Sequence, residues 1–230
     1  MTVLLVLFTF ATFLLIDYVR TRHTIAERTL HVGAAITTHD AAVPRLQPAL
    51  VAGFAVPENL RYHPGHTWAL SESTNLVRVG MDDFASKLTG TVESITLPQR
   101  GQWIRQGQKV CTIHRDGIAV DMVSPIEGTV SDINQAVEQN PKLALSDPYG
   151  EGWLVTVNAP DAKTSFKNLL GGPLARWWTE ESASRLQRRN PMAMAFAGAL
   201  AQDGGQAIND VAAQIPDQEW LPLAKEFFLS

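Results

Sequence analysis

Cysteine is almost absent. Cys111 stands alone in 230 residues, which excludes an internal disulfide framework and a thiolate metal cluster and fits a reducing compartment. An excess of basic charge is missing too: 19 Lys and Arg face 23 Asp and Glu, leaving no electrostatic footprint for nucleic acid. No glycine-rich phosphate loop, catalytic-triad spacing or cysteine cluster occurs, so neither an enzyme nor a bound cofactor is expected. What remains is ordinary for a folded chain, with 45% hydrophobic and 18% charged residues. The length allows one sizeable core with appendages, or two small domains.

Charge, glycine and proline are absent from Thr2 to Ile16, TVLLVLFTFATFLLI. A helix over residues 1–19 reaches roughly 28 Å, against about 30 Å for a bilayer core. Asp17 ends the run, and Tyr18 suits a membrane interface. Arg20, Arg22 and Arg28 follow the run where a cleaved signal would carry its charge in front, so an anchor is expected rather than a signal or a buried helix. The positive-inside rule then places the N-terminus outside and the main domain in the cytoplasm, as a single-pass protein of the inner membrane.

Residues 20–59 read as a connector. Pro44, Pro48 and Pro57 punctuate it, and Val43, Leu46, Leu50 and Val51 suit a strap lying on a domain better than a free tether. From 60 to 160 the texture becomes short alternating strands: 76–80, 91–97, 109–113, 119–123, 128–133 and 153–157, with a short helix at 83–88. Gly90-Thr91-Val92 recurs as Gly128-Thr129-Val130, as two similar β halves would produce. From 161 to 230 the chain reads as helical. Gly172-Pro173 opens one helix, whose Glu181 and Arg185 stand four apart and whose late arginines oppose its dipole. A second apolar helix follows Pro191. Trp220, Phe227, Phe228 and Leu229 in the tail need a surface to pack on.

Residues 61–160 also resemble a known family. Tyr62-His63-Pro64-Gly65-His66-Thr67-Trp68, Val79-Gly80-Met81-Asp82-Asp83-Phe84-Ala85 and Ser124-Pro125-Ile126-Glu127-Gly128 are similar to stretches of the glycine cleavage H protein. So is Asn140-Pro141 followed by Asp147-Pro148-Tyr149-Gly150-Glu151-Gly152-Trp153. The resemblance implies a mainly β, lipoyl-domain-like barrel-sandwich hybrid, here with an N-terminal transmembrane helix and a helical C-terminal extension. It also implies a lysine at a hairpin tip, amidated to lipoate. Counting back from Asp121 and Ser124-Pro125, Gly117 falls at that lysine and His114 at a glutamate three residues earlier. Asp116-Gly117 is itself a preferred hairpin turn, so the resemblance points to an intact loop without its attachment site. The nearest lysine, Lys109, precedes Gly117 by eight positions.

His63 and His66 have a ligand-like spacing, but Pro64-Gly65 keeps them off a helix and no acid or thiol lies beside them, so no metal is expected. His114, Arg115, Asp116 and Gly117 form a polar turn with docking of a partner as its functional reading; no nucleophile accompanies them for catalysis. Cys111 in an alternating strand reads as a core residue. Trp177 and Trp178, near several arginines, suit either a membrane surface, together with Tyr18, Arg20 and Arg22, or packing on the β domain. The expected function is therefore a non-catalytic accessory or scaffold subunit of a respiratory or photosynthetic membrane complex. Its partners would be integral membrane subunits and the bilayer, met through the anchor and C-terminal helices. The alternative is a carrier or docking protein of a glycine-cleavage-like lipoyl system.

Overall fold

The chain divides into two units, Met1–Leu46 and Gln47–Ser230. The computed structural model describes residues 49–190 and 211–229, all in the second unit. The uncharged run, Tyr18, Arg20, Arg22 and the apolar stretch after Pro191 lie outside the described residues. Among those described, no helix is long and apolar enough to cross a membrane.

Among the described residues, eleven strands form three antiparallel sheets. β1 (Ala49–Val51) and β2 (Phe54–Val56) make a hairpin. β3 (Arg61–His63), β4 (Thr67–Ser71), β5 (Leu76–Met81), β7 (Trp103–Ile104), β10 (Gly128–Ile133) and β11 (Val155–Asn158) make a six-stranded sheet ordered β3-β4-β5-β11-β10-β7. β6 (Ser94–Thr96), β8 (Lys109–Arg115) and β9 (Ile118–Val123) make the third. Val79, Met81, Val155 and Val157 of the large sheet share one buried cluster with Ile113, Val120 and Met122 of the small one. Alternation produces this arrangement, because every second side chain of a strand faces the same side.

Two close approaches fix the register. Trp68 pairs with Gly80 across β4 and β5, and a β-carbon on Gly80 would lie 2.5 Å from the indole ring. The Trp68 Nε1–H donates to Pro148 O at 3.0 Å, so the buried ring keeps its polar end satisfied. Gly128 on β10 meets Asn158 O in the same way, at 2.3 Å from a would-be β-carbon.

Helix α1 (Asp83–Thr89) starts at Asp82, whose carboxylate accepts from Ala85 N at 2.8 Å, and stops at Gly90 with φ +68. Two short helices, α2 (Gln135–Gln139) and α3 (Lys142–Ser146), follow β10. After α4 (Ala162–Lys167), helix α5 (Pro173–Arg189) begins at Pro173, the first-turn position where a missing N–H costs nothing. A 3-10 turn (Ala212–Gln214) leads into α6 (Asp217–Phe228).

Helix α6 lies along β9 and α1. Trp220, Leu223, Ala224, Phe227 and Phe228 are all buried there, which is the surface the tail requires, but Leu229, expected to pack with them, caps the helix and stays exposed. Burying its four large apolar side chains contributes on the order of 6–12 kcal/mol before ordering entropy is subtracted. Where α1, α5 and α6 converge, the His66 ring stacks 4.1 Å from Phe84 and sits 4.4 Å from Trp178 and 5.9 Å from Phe227. Of the two readings held for the Trp177-Trp178 pair, a membrane surface or packing on the β domain, the structure gives the second to Trp178 alone. Trp178 is buried against Tyr62 and His66 while Trp177 is exposed, because adjacent helical residues point about 100° apart. The repeated Gly-Thr-Val needs correction. Its second copy opens β10, but its first copy is the loop that ends α1, and the strand starts only at Ser94.

Candidate functional site

The β8–β9 hairpin projects the residues singled out in the sequence. Its ladder ends at Arg115 paired with Ile118, leaving a two-residue loop of Asp116 and Gly117. Both adopt positive φ, +50 and +75, the backbone of a type I′ turn whose twist matches the flanking strands. Asparagine, aspartate and glycine bear that conformation best, which is why this dipeptide makes this turn. A β-carbon on Gly117 would meet nothing within 4 Å, so the tip has room for a side chain that this sequence does not supply.

The four tip residues do not act as one exposed cluster. His114 Nε2 lies 2.9 Å from Thr96 Oγ1 on β6, at the solvent side of the sheet. The Asp116 side chain is 57% exposed and that of Arg115 only 8%. Arg115 turns inward instead, donating to Thr89 O at 2.9 Å and to Asp116 Oδ2 at 3.1 Å. Its guanidinium rests 4.9 Å from the centre of the Trp220 ring. The expectation of an exposed docking arginine is therefore corrected to a buried one, held by a carbonyl, a carboxylate and an aromatic face. Glu93 Oε2 accepts from Gly117 N at 3.4 Å, and Glu93 N donates to His114 O at 2.8 Å, so the loop before β6 flanks the tip.

Lys109 stands at the opposite end of β8, a distance of roughly 20 Å from Arg115 at strand rise. Its ammonium pairs with Asp121 Oδ1 at 2.8 Å, which also accepts from Thr112 Oγ1 at 2.7 Å. Partial burial pushes the Asp121 carboxyl up, but the hydrogen bonds and charge from Lys109 and the Thr112 hydroxyl outweigh it and hold the group below its ordinary range.

The two histidines with ligand-like spacing serve different partners. His63 Nδ1 accepts from Gly65 N at 3.0 Å, and burial, then the neighbouring His66, depresses its pKa. His66 Nδ1 meets Asp82 Oδ2 at 2.8 Å. Cys111 is buried, and desolvation, then Asp121, pushes its thiol up to about 12. That thiol is a core residue with no nucleophilic character at neutral pH.

A family model described as "Glycine cleavage H-protein" matches residues 60–177. The glycine cleavage system H protein of Alteromonas mediterranea is 36% identical over 107 residues, covering 46% of this chain and 83% of that protein. That of Mycobacterium avium is also 36% identical over 107 residues, covering 46% and 81%. A probable glycine cleavage system H protein 2 of Sulfurisphaera tokodaii is 35% identical over 132 residues, covering 55% and 87%. A crystal structure of the H protein from Mycobacterium marinum aligns at TM-score 0.42 with 26% identity, covering 45% of this chain and 86% of that one. These relatives overturn the expectation of an accessory or scaffold subunit of a membrane complex and favour the alternative held beside it, a role in a glycine-cleavage-like system.

Proposed function

The chain belongs to the glycine cleavage H-protein family, and from that premise we propose that it is a docking protein of a glycine-cleavage-like lipoyl system whose own tip carries no lipoate. The observation that carries this reading is the β8–β9 hairpin. It keeps a well-formed type I′ turn while placing Gly117, with no amine to acylate, at its end. A hairpin of this shape presents the surface that an H-protein-binding enzyme recognises, and the chain occupies that seat without offering an arm. It acts as a non-catalytic competitor or placeholder for a lipoylated H protein.

Intact-mass analysis of the native chain, with a competition assay, tests this. Added to the purified enzymes of a glycine cleavage system, the chain should lower the rate supported by a lipoylated H protein in proportion to its concentration. A lipoyl group on any lysine would make it a carrier and overturn the docking reading, as would full activity at large molar excess. The uncharged run Thr2–Ile16 supports a tether of this module to a membrane. Release of the full chain from membranes by alkaline carbonate would remove that part of the reading.

A further inference from the structure

The C-terminal helix lies beyond residues 60–177, the span matched by the family model, yet it reaches the hairpin that carries the site. Trp220 donates from Nε1 to Leu88 O at 2.8 Å, near the end of α1, and turns its ring face to Arg115. Ala212, just before α6, closes on the helix stop: a β-carbon on Gly90 would lie 2.2 Å from Ala212 Cβ. Arg115 is the joint. It bonds Thr89 O at the end of α1, bonds Asp116 in the turn and stacks on Trp220, although these groups lie far apart in sequence.

A two-residue turn at the end of a hairpin is ordinarily the least restrained part of it, because the ladder stops there and water competes for its backbone. Here the last paired residue is fastened to two helices. A buried guanidinium with such partners also costs the partners' order when it is removed, since its charge must be satisfied where it stands. We propose that Arg115 and Trp220 are positioning residues for the tip: the C-terminal helix acts through the arginine to hold the Asp116-Gly117 turn in one orientation for its partner enzyme. This rests on the docking reading above. The extension then compensates for the missing arm. A swinging carrier tolerates a mobile tip, whereas a tip that binds only through its own shape gains affinity from being preorganised.

The test uses the full chain and two readouts. The first needs no partner: the order parameter of the Gly117 amide, and hydrogen exchange of the Glu93 amide that bonds His114 O. Arg115→Met and Trp220→Leu should each speed Glu93 exchange by about tenfold or more and lower order at Gly117, with β5 and β11 protected as before. Arg115→Lys should restore most of the protection, since an ammonium can still donate to Thr89 O and lie over the indole. An unchanged tip in Arg115→Met, or a uniform rise across the whole core, overturns the proposal in favour of a purely structural arginine. The second readout is the competition assay, where Arg115→Met should raise the half-inhibitory concentration by a similar factor. A loosened tip with unchanged inhibition also overturns it. Failure of the wild-type chain to inhibit at all would instead fall on the docking reading and leave the exchange result standing.

Discussion

Installing a lysine at the tip probes the hairpin most directly. Gly117 sits at φ +75, where a side chain is strained, but nothing lies within 4 Å of its would-be β-carbon. The cost of Gly117→Lys is therefore conformational only, about 1–2 kcal/mol for a left-handed non-glycine residue. Pairing it with His114→Glu, which returns the carboxylate implied three positions earlier, removes the exposed contact to Thr96 and costs about another 0.5–1 kcal/mol. In a folded unit of this size each kcal/mol lowers Tm by roughly 2–4 °C, so the double variant should melt about 3–12 °C below the parent. Calorimetry checks the first half. Incubation with a lipoate ligase, lipoate and ATP, followed by intact mass, checks the second. The variant should gain one lipoyl group, on the introduced amine, while the parent gains none. A variant that unfolds outright would show that the turn is not the open, two-residue loop described. A folded variant that stays unmodified beside a fully modified H protein would show that the hairpin no longer resembles a carrier tip.

Gly128→Ala should be far worse than Gly117→Ala, losing upwards of about 3 kcal/mol, because its β-carbon meets Asn158 O at 2.3 Å and the Ala159 backbone at 3.0 Å; urea unfolding of these two variants side by side tests the order. Cys111 should resist a disulfide exchange reagent in the native chain at pH 8 and react completely in denaturant, since burial holds its thiol up at about 12; rapid native labelling would contradict that burial. Asp121, held below its unfolded value of 3.8, contributes stability that is present above that pH and is lost as pH falls through the lower folded value. Asp121→Asn should therefore destabilise the chain near pH 6, with the gap closing as pH falls through the folded value of Asp121 and shrinking in high salt because the pair is partly exposed. A gap that does not narrow as pH falls below 3.8 would assign the loss to something other than the charge.

Much of the fold was legible because its strands announce themselves locally. Asp116-Gly117 between two alternating runs specifies the hairpin without reference to anything distant, and Gly172-Pro173 marks the first turn of α5. The hairpin of β1 and β2 was not legible. Its turn is Ala52-Gly53, with φ +48 and +86, and alanine gives no turn signal where tertiary packing imposes the left-handed conformation. Helices α2 and α3 have five residues each, too few for a 3.6-residue period to show. At the site, the sequence placed the turn but could not aim its arginine. Arg115 reads as a solvated charge until Trp220, from the far end of the chain, is brought over it by the fold. The split fate of Trp177 and Trp178 has the same origin, since only the packing of α5 decides which indole faces the core.

The stacking around His66 has a consequence in time as well as in space. Its neighbours Phe84, Trp178 and Phe227 are separated by most of the chain. A ribosome that has released residues through Asn158 has delivered every strand of the large sheet, so that sheet can pair while synthesis continues. Helix α5 brings Trp178 onto His66 about thirty residues later, but the side of Phe84 that meets Phe227 stays wet until some seventy residues beyond Asn158 have emerged and α6 can fold back over it. During that interval the newborn chain displays a greasy, half-finished flank, which is the stretch of its synthesis when a chaperone has something to hold.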